Sequence, residues 1–196
     1  MSKVGEPVRE RIWDPLVRIV HWSLVITVVA GFLIGENMSF ANIGWHFWMG
    51  YATGALLLIR IIWGFVGPAP ARFSHMLTGP RQVIDYAKTV KNRSPSHWPG
   101  HNPLGALSAV ALWAVLAGLV ITGLCSESED FFETAPLAGY LPSDLRLEMT
   151  GLHDDLHEIL VPLVFLHLGA IAFYHFWKRE NLIRPMITGW KWVRRD

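Results

Sequence analysis

Four stretches of the chain, 17–35, 46–66, 104–124 and 157–177, are apolar over about the 20 residues that a helix needs to cross the hydrocarbon core of a bilayer. Backbone groups in that core find no water, so such a run is stable there as a helix whose hydrogen bonds close within the segment. The pattern predicts an all-α fold, a transmembrane four-helix bundle forming one domain over 1–196. Composition agrees: 52% of the residues are hydrophobic, only 17% are charged and mean hydropathy is +0.30, too little polar surface to solvate a globule of 196 residues. Trp22, Trp45, Trp48, Trp63, Trp98 and Trp177 lie at or near the ends of the runs, where indoles settle at the membrane–water interface. The first run is read as a retained span, because MSKVGEPVRERIWDP is charged, contains proline and is followed by no small-residue cleavage pattern. The single cysteine, Cys125, excludes an internal disulfide and any cysteine-based metal site.

Three connections join the runs: GENMSFANIG, a polar stretch from GPAPARFSH to SPSHWPGHNP, and CSESEDFFETAPLAGYLPSDLRLEMTG. Proline and glycine cluster at their edges, as helix breakers should. Pro162 falls inside the fourth run, where it is expected to kink the helix. Charge is segregated. Lys3, Arg9, Arg11 and Arg18 lead into the first run, Arg72, Arg81, Lys88, Lys91 and Arg93 occupy the second connection, and Lys178, Arg179, Arg184, Lys191, Arg194 and Arg195 follow the fourth run. The first connection has no Lys or Arg. The third has Arg146 alone, against Glu127, Glu129, Asp130, Glu133, Asp144 and Glu148, with Asp154 and Asp155 just beyond. The excess of cations on alternate connections places both termini and the second connection in the cytoplasm. These basic residues are the expected flanks of spans, so nucleic-acid binding is not supported.

Ionisable side chains at membrane depth are expensive and usually turn into the bundle toward a partner. LHDDLHEILVPLVFLHLGAIAFYHFW, residues 152–177, holds four histidines: His153, His157, His167 and His175. His153 and His167 are 14 residues apart, about 21 Å of rise and nearly four whole turns, so they share one helix face. His21 lies just inside the cytoplasmic end of the first run, and His46 opens the second from the opposite side. Imidazoles are the axial ligands of haem b, and without a C-x-x-C-H sequence covalent haem is excluded. Depth pairs His21 with His167 and His46 with His153, four ligands for two haem b groups. His157, one turn after His153, is an alternative to it as outer ligand. Arg18 and Arg60 lie at cytoplasmic depth, where a guanidinium can pair with a haem propionate or with lipid phosphate. Gly50, Gly54, Gly118 and Gly123 either admit a flat ring or let helices approach closely. His75, His97 and His101 read as surface or helix-entry residues, and His175 as interfacial. Zinc or di-iron chemistry would use His153, His157 and Glu158 but leaves His21, His46 and His167 unexplained.

Taken together, WDPLVRIVHW (13–22), HFWMGYATGALLLIRIIWGFVG (46–67), GHNPLGALS (100–108) and RENLIRPMITGWK (179–191) resemble the bacterial di-haem cytochrome b561 family, in its hydrogenase-type cytochrome b branch. The resemblance implies four helices in the bacterial inner membrane, two haem b groups and electron passage between a periplasmic partner and quinone. It assigns ligand roles to His21, His46, His153 and His167. The family's His-Glu pair at the first ligand of helix four falls here on His157-Glu158, while His153 is followed by Asp154, which keeps both histidines in view. Partners implied are membrane lipid, quinone, a c-type cytochrome, hydrogenase or other redox protein at the acidic face, and a second copy of the chain. Two rivals are a superoxide:quinone oxidoreductase acting at the outer haem and a redox-inert membrane anchor. The acids of the outer face disfavour the first, which must attract an anion.

Overall fold

A computed structural model describes residues 7–96, 98–128 and 133–193. His97, Glu129, Asp130, Lys3, Arg194 and Arg195, which entered the sequence reading, lie outside the described residues. The chain runs β1 (Val8–Arg11), α1 (Pro15–Gly35), α2 (Ile43–Val66), α3 (Phe73–Met76), α4 (Pro80–Thr89), α5 (Pro103–Cys125), β2 (Glu127–Ser128), β3 (Glu133–Thr134), α6 (Ser143–Phe176), α7 (Ile183–Thr188) and β4 (Trp190–Val193). Helices α1, α2, α5 and α6 are long and apolar enough to cross a membrane. Protein buries only 11% of the apolar window in α1, α5 and α6 and 22% in α2, so most of that surface is left for lipid to cover.

The ends of these helices follow from side chains that cap them. Asp14 accepts the Leu16 and Val17 amides at 2.9 and 3.1 Å, and Pro15 supplies a first helical residue with no amide to satisfy. Asn102 does the same for α5, taking the Gly105 amide at 2.8 Å ahead of Pro103. These are the structural meanings of WDP and HNP.

Helix α6 corrects the sequence reading. It begins at Ser143, 14 residues before the expected start at 157, and runs unbroken through Pro162 for 34 residues. At 1.5 Å per residue it is about 51 Å long, against the roughly 30 Å of a hydrocarbon core. Its early turns therefore stand clear of the span. Hydropathy could not find them, because Asp144, Glu148, Asp154 and Asp155 are exposed there while Leu145, Met149 and His153 turn inward. The connection before it closes as a small hairpin, β2 against β3, fastened to α6 by Arg146 and Glu127 at 2.9 Å and by Thr150 donating to the Glu127 carbonyl at 3.0 Å.

The chain divides into two compact units, to which all four long helices contribute. One comprises Val20–Ile59 and Ala111–Val164. Its core is Leu57, Leu116 and Leu160, joined by Val28, Trp113 and Val164. A Cβ on Gly54 would lie 3.0 Å from Val120 and one on Gly118 2.8 Å from Leu156, so these two glycines serve close helix packing.

The other unit comprises Met1–Ile19, Arg60–Val110 and Phe165–Asp196. Its core gathers Ile12, Trp13, Val17, Ala71 and Val193. The second connection, expected as loop, carries α3 and α4. Another departure from the all-α expectation is an antiparallel ribbon: β1 pairs with β4 in the register Val8↔Val193, Arg9↔Trp192, Glu10↔Lys191 and Arg11↔Trp190. Gly189 makes the ribbon possible. It adopts φ +85°, donates to the Pro185 carbonyl at 2.8 Å to end α7, and accepts the Ile12 and Trp13 amides at 2.9 and 3.1 Å. A Cβ there would sit 2.6 Å from the Trp13 carbonyl. Gly189→Ala is expected to destabilise this unit by about 2–4 kcal/mol, combining left-handed strain with the clash, and to lower the melting temperature of the purified protein.

A buried ion pair lies under the ribbon. Lys191 Nζ and Glu180 Oε1 are 3.0 Å apart, with side chains 7% and 8% exposed. Glu180 Oε2 also accepts the amide and hydroxyl of Ser96, each at 2.7 Å. Burial alone would raise the carboxyl pKa, but the ammonium and the two Ser96 bonds outweigh it and hold Glu180 below the usual carboxylate range.

Candidate haem site

In the unit of Val20–Ile59 and Ala111–Val164, α2 and α6 bring His46 and His153 together. Their ring centroids are 6.1 Å apart with planes at 78°. They border a cavity lined also by Gly31, Phe32, Gly50 and Thr53. No atom lies within 4 Å of a Cβ built on Gly50, so this glycine opens space and, unlike Gly54, is not taken up by helix packing.

The tautomer of each ring follows from its neighbours. His46 Nδ1 is 3.1 Å from the Gly31 carbonyl, which can only accept, so Nδ1 carries the proton. His153 Nδ1 is 3.1 Å from Thr122 Oγ1. The Thr122 hydroxyl donates to the Gly118 carbonyl at 2.8 Å, so toward His153 its oxygen accepts. Both imidazoles are thereby left with a bare Nε2, the arrangement in which a ring nitrogen binds a metal while its other nitrogen is held by a hydrogen bond. Gly123 permits this packing, since a Cβ there would meet His153 Cε1 at 3.0 Å. Sequence reasoning missed Thr122 and the Gly31 carbonyl. A threonine within an apolar run was the only available signal.

The other histidines are differently engaged. His157 stacks on Phe32 at 5.2 Å and 22°, and its Nε2 lies 3.5 Å from Glu36 Oε1. His21 belongs to this unit and sits edge-on to Trp22 at 5.2 Å. His167 belongs to the other unit, on the same unbroken helix as His153. His175 is exposed against Phe176, and His101 packs edge-on against Trp13 at 4.8 Å. Ser74 Oγ lies 3.2 Å from His75 Nδ1.

Arg18 and Arg60 both fall in the unit of His167. Arg18 Nη1 donates to the Ile187 carbonyl. Arg60, only 4% exposed, donates from Nη2 to the Ala71 carbonyl at 3.2 Å and lies 5.7 Å from the Phe73 ring centre. Its guanidinium is thus held inside this unit. Nearby, Trp63 Nε1 donates to Asp14 Oδ2 at 3.1 Å, binding the exit of α2 to the entry of α1.

Residues 12–189 match the prokaryotic cytochrome b561 family. The chain belongs to that family. It is a haem-b electron-transport protein with four membrane-spanning helices. Relatives described as probable Ni/Fe-hydrogenase B-type cytochrome subunits include one from Azotobacter chroococcum mcd 1, 25% identical over all of this chain and 93% of its own length, and one from Azotobacter vinelandii with the same identity and coverage. Another, from Rhizobium leguminosarum bv. viciae, is 27% identical over 94% of this chain and 91% of its own. They place this cytochrome in the hydrogenase-type branch. No solved structure matches it.

The residues present fit haem b. His46 and His153, with ring centres 6.1 Å apart and each Nδ1 already engaged, are the residues that would hold it. Among the described residues no group of three or more His, Cys, Asp or Glu converges on one point. Two adjacent imidazoles without a third protein ligand would suit haem b better than a tetrahedral zinc site.

Proposed function

We propose that this cytochrome carries electrons between a redox protein on the periplasmic side of a bacterial inner membrane and quinone, using two haem b groups. His46 and His153 would hold one, and the sequence resemblance assigns the other to His21 and His167. When bound, haem b supplies a reversible one-electron couple. The observation that carries the reading is the His46–His153 pair, with both Nδ1 atoms already engaged and Gly50 opening the cavity beside it.

The chain's own residues do the remaining work. The Gly31 carbonyl and Thr122 fix the ring tautomers and make Nε2 the better donor. Arg18 and Arg60 supply positive charge for haem propionates in the unit of His167. The segregated charges support cytoplasmic termini and a single membrane domain. Exposed Asp144, Glu148 and Asp155 on the early turns of α6 favour a basic partner over a superoxide anion. The relatives' names point to a hydrogenase as that partner.

The test is a pyridine haemochrome on the purified protein, followed by reoxidation of the reduced form with a soluble quinone analogue. Two haem b groups per chain and rapid reoxidation are expected. A chain with one haem or none, or one that quinone leaves reduced while superoxide exchanges electrons with it, defeats the reading. Thr122→Val removes the acceptor for His153 Nδ1 without changing side-chain size much. It is expected to weaken retention of the outer haem about 10–100-fold, measured as haem transfer to apomyoglobin.

A further inference from the structure

Strand β4 of the β1–β4 ribbon has one buried and one exposed side, and the two have different chemistry. Alternation along β4 turns Lys191 and Val193 inward, at 7% and 0% exposure, and Trp190 and Trp192 outward, at 43% and 57%. On β1 Arg9 and Arg11 are exposed. The register sets Arg9 opposite Trp192 and Arg11 opposite Trp190, while Arg9 Cζ also lies 5.3 Å from the Trp190 ring centre. The outward face is therefore a chequer of two guanidinium groups and two indoles.

Chain connectivity fixes the depth of this face. Helix α1 is 21 residues long, about 31 Å at 1.5 Å per residue, which matches one hydrocarbon core with nothing to spare. Its first residue, Pro15, thus lies at the edge of that core. Arg11 is four residues earlier, within about 13 Å of fully extended chain, and the Ile12 and Trp13 amides bind the Gly189 carbonyl and draw β4 to the same level. A ribbon held there lies among lipid headgroups. Indoles favour that layer, and guanidinium groups pair with phosphate in two-pronged fashion.

We infer that the exposed face of the β1–β4 ribbon is a binding site for the headgroups of anionic phospholipids, with Arg9 and Arg11 pairing with phosphate and Trp190 and Trp192 seated at the interface. Charge complementarity and depth favour lipid over a soluble protein or a second copy of the chain. The site also gives Lys191 a reason to face the other way: its ammonium is committed to Glu180 at 3.0 Å, so the strand's lipid-facing positions are left to tryptophan.

Native mass spectrometry of the haem-loaded protein tests this, with phosphatidylglycerol and phosphatidylcholine of identical acyl chains as probes. Arg9→Gln/Arg11→Gln is expected to reduce preference for phosphatidylglycerol at the tightest site about 30-fold, from roughly a fivefold contribution of each cation near the surface. Arg9→Lys/Arg11→Lys keeps the preference, and Arg81→Gln/Lys88→Gln, on exposed positions of α4, leaves it unchanged. The inference is overturned if the ribbon glutamine variant retains phosphatidylglycerol like the wild type, if the α4 variant loses it equally, or if the ribbon variant changes the oligomeric mass and not lipid retention. Haem content of each variant reports that the protein is intact.

Discussion

His153→Ala, purified from membranes, is expected to carry one haem b per chain in place of two, whereas His157→Ala keeps both. The reason is geometric. His153 faces His46 at 6.1 Å with Nδ1 held by Thr122, while His157 Nε2 lies 3.5 Å from the Glu36 carboxylate and the ring is stacked on Phe32. A ligand must offer a bare nitrogen to the metal, and the nitrogen that would do so in His157 faces an acid. Haem-to-protein ratio from pyridine haemochrome decides between them, with reduced-minus-oxidised spectra identifying the group lost. If His157→Ala loses a haem and His153→Ala does not, the ligand assignment passes to His157. If neither does, the outer site lies elsewhere.

Glu180→Ala is expected to remove about 3–5 kcal/mol of stability, because it leaves the Lys191 ammonium buried without its counter-charge. Replacing both partners, as in Glu180→Gln/Lys191→Met, is expected to be much milder, since no uncompensated charge remains. Thermal melts followed by tryptophan fluorescence compare the two, and equal losses would mean that the pair is not coupled. The sign of the pH dependence follows from the depressed carboxyl pKa. The folded state holds the proton less tightly than the unfolded one, so the stabilisation is fully present above the unfolded carboxylate value of about 4.3 and is lost as pH falls through the lower folded value. The advantage of wild type over Glu180→Gln should stay constant from about pH 7 to 5 and fade below about pH 4. An advantage that grew on acidification would contradict the ion pair.

What sequence could show depended on the range of the interaction involved. The four spans were legible because hydropathy is a local sum, and helices α1, α2 and α5 begin and end within three residues of where it placed them. The early turns of α6 were not, since they are polar on one side and lie outside the bilayer. Ribbon strands β1 and β4 carry VRER and WKWV, which form strands only because each supplies the other's hydrogen bonds across the length of the chain. At the site, the 14-residue spacing favoured His153, and the fold brings that histidine to His46. The elements that orient the rings could not be read in advance: one is the main-chain carbonyl of Gly31, and the other is Thr122, whose acceptor role depends on its own bond to Gly118. The engagement of His157 with Glu36 likewise depends on the packing of α1 beside α6 within their common unit.

The ribbon sets an order on biogenesis. Arg11 and Trp190 are partners in its register, yet 179 residues separate them in the chain. At ribosomal rates of about 5–20 residues per second, β1 waits roughly 10–35 s for its partner strand. All four spans are synthesised in that interval, so membrane insertion proceeds with the arginine-bearing arm unpaired and its charge available to orient the first helix. Only when β4 emerges can Gly189 receive the Ile12 and Trp13 amides. Closure of the ribbon is thus a late event in the life of each new chain, available only to molecules in which the helices between have already been made.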